Sequence, residues 1–522
     1  MKKELLLSLL SLLLWGVSLA QAQPEFVKSA NNISSIVEMN GFVYYTEISG
    51  SDNKLWKSDG TTAGTTLVQS FISIDKLCVA NNQLFFFANE ANAGYELWKS
   101  DGTTAGTTLV KDINPTGNGN GGNAYVFLWA NNTLFFSATD GVNGIELWKS
   151  DGTEVGTIMI KDLNPGSGGS HPQFGYYFNG ELFFDGANGM VTRELFKSDG
   201  TEAGTVLVKD IGQSTANPSF PTSFIEYNSE LYFIARPLGD FTGQFNLYKT
   251  DGTEAGTINV NDQVVLNNSA PIGLHNGFLY FAGGSYSNKQ LWKSDGTFSG
   301  TTLVKELNLT GDAFPQYFYS FNGLLYFTAK SSASNFELYK TNGTLAGTEL
   351  VKEINTTVDA GSNPTSLIGY NNTLFFNADD GLSGPELWAS DGSEIGTELY
   401  YDINPGTVGS YLGLFLESNN VLYFYAYHSN AAQKGLWKLD NSTANLDENN
   451  IENNMIIFPN PTKGKLQVKF EIAEEFKIID LNGTVLTTSD FQQDHLIDVS
   501  TYAPGIYFIR TSEGQTVKFI KE

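Results

Sequence analysis

The side chains best placed to do chemistry in this chain are acidic and periodic. Asp59, Asp101, Asp151, Asp199, Asp251, Asp295, Asp391 and Asp440 occupy the same place in a recurring short loop, with Asn342 in the one remaining copy. A Thr or Ser follows two residues later each time. Two chemistries suit that pattern. A Ca²⁺ ion takes roughly 6–8 oxygens, usually from several carboxylates. An Asx turn needs only one side-chain oxygen, which accepts from amides just ahead. One Asp per loop, without a DxDxDG run, favours the turn, and Asn342 keeps the turn while losing the charge. No cofactor or metal is therefore expected; Ca²⁺ is conceivable but no motif supports it. Other reactive groups are scattered. His171, His275, His428 and His495 lie in unrelated contexts without metal-ligand spacing. Cys78 is the one cysteine and cannot form an internal disulfide. No GxSxG, HExxH, P-loop or dinucleotide glycine pattern occurs in a fitting context. The chain reads as a non-enzyme, with a paired-carboxylate glycosidase as the enzymatic alternative that abundant Asp and Glu leave open.

The acidic loops belong to a heptapeptide that recurs nine times. It reads LWKSDGT at Leu55, Leu97, Leu147 and Leu291, with variants at Leu195, Leu247, Leu338, Leu387 and Leu436. Starts are 42 to 52 residues apart, a period that means an array of small units. Each unit carries four short β-like runs, A to D. An Asn-Asn, Asn-Gly or Asn-Ser pair separates A from B in all nine, from Asn40-Gly41 to Asn419-Asn420. Such pairs suit a two-residue type I′ hairpin, which needs φ > 0 twice. Strand B is apolar on both faces, as in Leu84-Phe85-Phe86, so it is covered on both faces. Strand C puts an aromatic at its second position throughout, such as Trp98, Trp148 and Phe196. The second Gly of each loop, such as Gly106, is expected to relax the bend into strand D. Four-stranded sheets greasy on both sides stack, and closure into a ring removes exposed ends. The last unit lacks a D strand, and Phe26-Val27-Lys28-Ser29 near the N-terminus matches one. The expected fold is all-β: a closed β-propeller of nine four-stranded blades, eight being possible, followed by a small C-terminal β-sandwich.

Alternating strand directions put the A–B turns and C–D loops on one face, nearly constant from unit to unit. The B–C and D–A loops share the opposite face and vary strongly. Binding residues concentrate on variable loops held by a rigid scaffold. His171, Arg193, Arg236, Phe241 and Tyr286 lie in or beside such loops and are the candidate ligand-binding residues.

The repeat resembles the ELWxxDGT repeat family, on matches at Glu96, Glu146, Glu194, Glu337 and Glu386 that span roughly residues 26–440. That resemblance implies no enzymatic activity. The loop also resembles the Asp box of sialidase-like propellers, but there the Trp follows the DG turn. A sialidase-like site also needs an arginine cluster, and this chain has only Arg193, Arg236 and Arg510.

The ends give an address. Lys2-Lys3, an apolar Leu5–Leu19 stretch and Ala20-Gln21-Ala22 read as a signal peptide over residues 1–22. No later run reaches the ~20 residues of a spanning helix, so the mature chain has no expected transmembrane segment. The net charge of −26 argues against nucleic acid as a partner. Residues 23–440 form the repeat body, and 441–454 read as a polar linker. Residues 455–522 resemble the type A C-terminal sorting domain of type IX secretion. The matching positions are Pro459, Asn460, Pro461, Gly464, Gly505, Tyr507, Lys518 and Lys521. The resemblance implies export across the outer membrane of a Gram-negative bacterium, with the type IX machinery as partner and an Ig-like tail. The expected function is a secreted or surface-displayed binding or adhesion module with an extracellular polysaccharide or protein ligand. A glycan-active enzyme and a structural coat component are the alternatives.

Overall fold

The computed structural model describes residues 22–90, 94–119, 126–213, 217–240, 243–267, 271–332, 335–357, 360–440, 455–458, 462–480, 484–511 and 516–522. The expected signal peptide and linker therefore lie almost wholly outside the described residues. Every regular element among those described is a strand. The chain divides into two compact units, Ala22–Asp440 and one that contains Asn441–Glu522.

The first unit contains nine four-stranded antiparallel sheets among the described residues. In eight of them the order is A-B-C-D along the chain, as in Phe127–Ala130, Thr133–Ala138, Glu146–Ser150 and Ile158–Lys161. The ninth comprises Gly413–Ser418, Val421–Ala426 and Gly435–Asp440, and its fourth strand is the N-terminal Glu25–Ser29. Phe26 sits opposite Trp437 and Lys28 opposite Leu436 in that antiparallel pair.

The local rules that build each sheet are visible in its backbone. Both residues of every A–B turn have positive φ, from Asn40 (55°) and Gly41 (79°) to Asn419 (52°) and Asn420 (60°). Asn and Gly tolerate that region at little cost, so the hairpin register repeats. Strand B is buried on both faces, with Leu134, Phe136 and Leu182 fully inaccessible. Strand C aromatics wedge between sheets: Phe87, Leu134, Phe136 and Trp148 share one core cluster across the second and third units. Trp56 and Trp292 are only half-buried, so the wedge is looser there. The fifth and sixth units are the irregular ones, with a two-residue strand D at Ile258–Asn259 and a three-residue strand A at Gly273–His275.

Strand A of one unit touches strand A of the next at most junctions, and Ile33–Met39 of the first unit touches Gly413–Ser418 of the last. Val27, Val43, Tyr45, Tyr423 and Leu436 form a core cluster drawn from the first and ninth sheets.

The tail was expected as a sandwich. Its strands instead hydrogen-bond into one five-stranded sheet around the long strand Lys465–Asp480. That strand pairs Met455–Phe458 along its first half and Gly505–Thr511 along its second, and its pairing with Val485–Asp498 has register breaks between Lys469 and Phe476. A strand interrupted this way bends, and a bend lets one continuous sheet fold over its own core. Leu466, Val468, Phe476, Ile478, Ile509 and Phe519 fill that core.

Candidate functional site

The acidic loops are joints. Asp101 Oδ1 accepts from Thr103 N (2.8 Å) and Thr103 Oγ1 (2.7 Å), and Thr103 Oγ1 accepts from Gly106 N (3.0 Å). Asn342 Oδ1 makes the same pair of bonds with Thr344. These bonds hold the Asp101 carboxyl below its usual range, as their equivalents do at Asp59, Asp151, Asp199, Asp251 and Asp391. The second Gly does not serve to relax a bend. A Cβ on Gly106 would stand 2.1 Å from Asp101 Oδ1, so the carboxylate's approach is what requires Gly. The first Gly has a left-handed backbone, as at Gly102 (φ 88°), and lies against Tyr44 of the preceding unit. Lys149 Nζ donates to Gly200 O of the following unit (2.7 Å), and Thr104 Oγ1 to Val68 O of the preceding one (2.8 Å). The motif's own polar groups on this face are engaged by their own turn and by neighbouring sheets. Among the described residues, no three His, Cys, Asp or Glu side chains are placed to hold a metal ion.

The motif glutamate works on the opposite face. Glu194 is fully buried and accepts from Ile211 N (2.9 Å), Ser219 N (3.1 Å) and Ser219 Oγ (2.6 Å). Glu146, Glu337 and Glu386 hold the following D–A loop through Ser170, Ser362 and Ser410 in the same way. Burial pushes Glu96, Glu146, Glu194 and Glu386 up to about 7. Gln290 replaces the carboxylate in the sixth unit and accepts from Leu307 N (2.8 Å) and Asn308 N (3.2 Å).

The residue after each anchored Ser stands at the start of strand A, eight positions ahead of the A–B turn. His171, Phe220, Asn363 and Tyr411 occupy this place, and Phe314 does so after Ala313. All five have positive φ, between 45° and 50°. A bulky side chain in that region is an outlier held by its surroundings. Here the hold is a backbone clamp. Phe220 N donates to Arg193 O of the preceding unit (3.0 Å), and Arg236 N to Ser219 O (2.7 Å).

Three of the five expected ligand-binding residues meet at this clamp. Arg193 pairs with the buried Asp185 and donates to His171 O (3.0 Å). Burial raises the Asp185 carboxyl, and the Arg193 guanidinium beside it pulls the other way. Arg193 and Arg236 both stand over the Phe220 ring, 5.9 and 5.1 Å from its centroid. Arg236 Nε and Nη2 donate to Pro218 O (2.9 and 2.6 Å). His171 is exposed, with Nε2 2.9 Å from Gly168 O. Tyr286 is elsewhere, exposed at the tip of the sixth unit's B–C hairpin, where Lys289 Nζ donates to its carbonyl (3.2 Å). Phe241 lies outside the described residues.

The reading of residues alone missed the glutamate's role and the residues Phe220, Phe314 and Tyr411. Gln290 and Asn246 at the Glu position were the available signal, since both keep a side-chain hydrogen-bonding oxygen while losing the charge. The aromatics carried no such signal, because their type changes from unit to unit.

In the tail, Gly464 O accepts from Val499 N (2.7 Å). Tyr507 OH donates to Ala503 O (2.8 Å), and its ring stacks on Phe519. Gly505 pairs with Lys521, and Phe508 with Lys518, along the last two strands. Pro459, Asn460 and Pro461 lie outside the described residues.

No helix among the described residues is long and apolar enough to cross a membrane. No curated protein matches the chain. Among solved structures, a puromycin hydrolase is similar over 68% of this chain and 58% of its own, at 10% identity and TM-score 0.36. The β-propeller domain of the Trilobed protease from Pyrococcus furiosus is similar over 60% of this chain and 95% of its own, at 13% identity and TM-score 0.32. A puromycin-hydrolyzing peptidase from Mycobacterium tuberculosis gives 9% identity and TM-score 0.36, with the chain spanning 58% of its length. At that distance none of their reactions is carried over. Residues 456–522 match the family described as "Secretion system C-terminal sorting domain", and with that match the chain declares its destination: secretion and the cell surface.

Proposed function

We propose that residues 23–440 form a closed nine-bladed propeller of ELWxxDGT repeats, exported by type IX secretion to the outer surface of a Gram-negative bacterium, where it serves as a binding or adhesion module. Closure is supported by the junction between first and last units, which uses the same joints as the junction between the first and second. Gly60 lies against Tyr423 as Gly102 lies against Tyr44. Thr62 Oγ1 donates to Val27 O (3.0 Å) as Thr104 does to Val68 O. Lys438 lowers the Asp59 carboxyl as Lys57 lowers that of Asp101.

The observation that carries the binding role is the division of labour between faces. One face spends its polar groups on joining sheets. The other presents side chains of changing type on its D–A and B–C loops, including Tyr286, Met190 and Leu382 on B–C loops, which are 66%, 80% and 77% exposed. The test is capture of bacterial envelopes by the full secreted chain on beads. Tyr286→Ala and Tyr411→Ala should lower capture, whereas Val155→Ser and Ile395→Ser, on the joint-forming face, should not. Equal loss on both faces, or no capture by the unsubstituted chain, overturns the reading.

A further inference from the structure

The positive-φ residues ahead of strand A recur on the variable face, where the first strands of successive units are neighbours at most junctions. In three units an aromatic ring stands there with a cation beside it or one ring away. Arg236 lies 5.1 Å from the Phe220 centroid and Lys330 4.6 Å from that of Phe314. Tyr411 meets Tyr427 edge-on at 6.5 Å, and Lys434 lies 5.4 Å from the Tyr427 ring. Phe220 and Phe314 are half-buried and Tyr411 is 57% exposed, so part of each ring reaches the surface.

Charge narrows the ligand. The chain carries −26 overall and has three arginines, two of which stand at this rim. Arg236 is held by a neutral carbonyl, which cancels none of its charge. A surface this acidic repels polyanions at long range, so the cation beside each ring acts locally, within a Debye length of about 10 Å. A flat ring offers an apolar platform to the C–H face of a sugar. A neighbouring guanidinium or ammonium offers charge-assisted hydrogen bonds to a carboxylate or sulfate. Recurrence of the pair in the fifth, seventh and ninth units matches a polymer rather than a single small molecule.

We propose that this rim binds an anionic polysaccharide, with pyranose rings on Phe220, Phe314 and Tyr411 and carboxylate or sulfate groups at Arg236 and Lys434. The proposal rests on the binding-module reading and names its ligand class. The test is affinity electrophoresis of the full secreted chain in gels containing polygalacturonate, chondroitin sulfate or dextran. Retardation is expected from polygalacturonate, chondroitin sulfate or both, with none from dextran; which of the first two retards identifies the anionic group. Arg236→Gln and Tyr411→Ala should each weaken it about tenfold, the effect of losing one charged or aromatic contact. Arg236→Lys should retain most of it, and added salt should weaken it. Melting curves of the variants separate lost contacts from lost folding. Equal retardation by dextran, or unchanged retardation of both variants, overturns the proposal. No retardation by any of the three glycans, with envelope capture intact, overturns it while leaving the binding-module reading standing. Loss of capture as well sinks both.

Discussion

Glu146 shows how a motif residue can be conspicuous in sequence and opaque in purpose. Its carboxyl is fully inaccessible and, with those of Glu96, Glu194 and Glu386, is pushed by burial to about 7. A carboxyl whose folded pKa lies above its unfolded one holds a proton in the native state that the unfolded chain releases first. Its stability contribution is therefore full below the unfolded value of about 4.5 and is lost as pH rises towards 7. We expect urea-unfolding stability to fall across that window, each of the four groups adding on the order of 1–3 kcal/mol. Glu146→Gln should flatten the curve by one group's share, as Gln290 is its natural counterpart; an unchanged slope would show the carboxyl already ionised at low pH. The loop aspartates answer differently. Asp101→Asn should cost under about 0.5 kcal/mol, since Asn342 builds the same turn, whereas Asp101→Ala should cost about 1–2 kcal/mol by orphaning the Thr103 amide. Thermal melts distinguish the two. The aspartate's role was legible because its partners sit two residues away. The glutamate's was not, because its partners sit 17 to 25 residues away in the next loop.

Strands were legible for the same reason of range. An Asn pair fixes its own φ, and a run such as Leu-Phe-Phe declares burial on both faces without reference to anything distant. What failed were features set by neighbours. The second glycine was read as a bend, but its need comes from a side chain folding back on it. Trp148, wedged between the second and third sheets, should cost about 3–5 kcal/mol on replacement by Ala, measured by chemical unfolding. A change below about 1 kcal/mol would mean the sheets close over the gap. Substituting Val27, 1% exposed, by Asp should uncouple Glu25–Ser29 from Gly435–Asp440 and lower the melting temperature of the whole body. A second, separate melting step confined to the ninth sheet would instead show that the sheets unfold independently.

At the scale of the molecule, two units with separate cores divide structure from address. Removing residues 452–522 should leave the body folded but retained in the periplasm, as judged by protease resistance and cell fractionation. Arrival of the truncated chain at the surface would refute the sorting role. The match over 456–522 was readable because sorting signals are recognised as sequence by other proteins. The ligand was not, because aromatics and cations distant along the chain meet only after the sheets assemble.

The pairing of the first strand with the last also has a mechanical side. The tail joins the body at Asp440, the end of a strand hydrogen-bonded to Glu25–Ser29 on one side and Val421–Ala426 on the other. Tension applied at that point along the strand shears two ladders at once, and neither can be peeled bond by bond while the other holds. A body tethered by its tail and loaded by a bound surface would thus resist flow through a strand flanked on both sides.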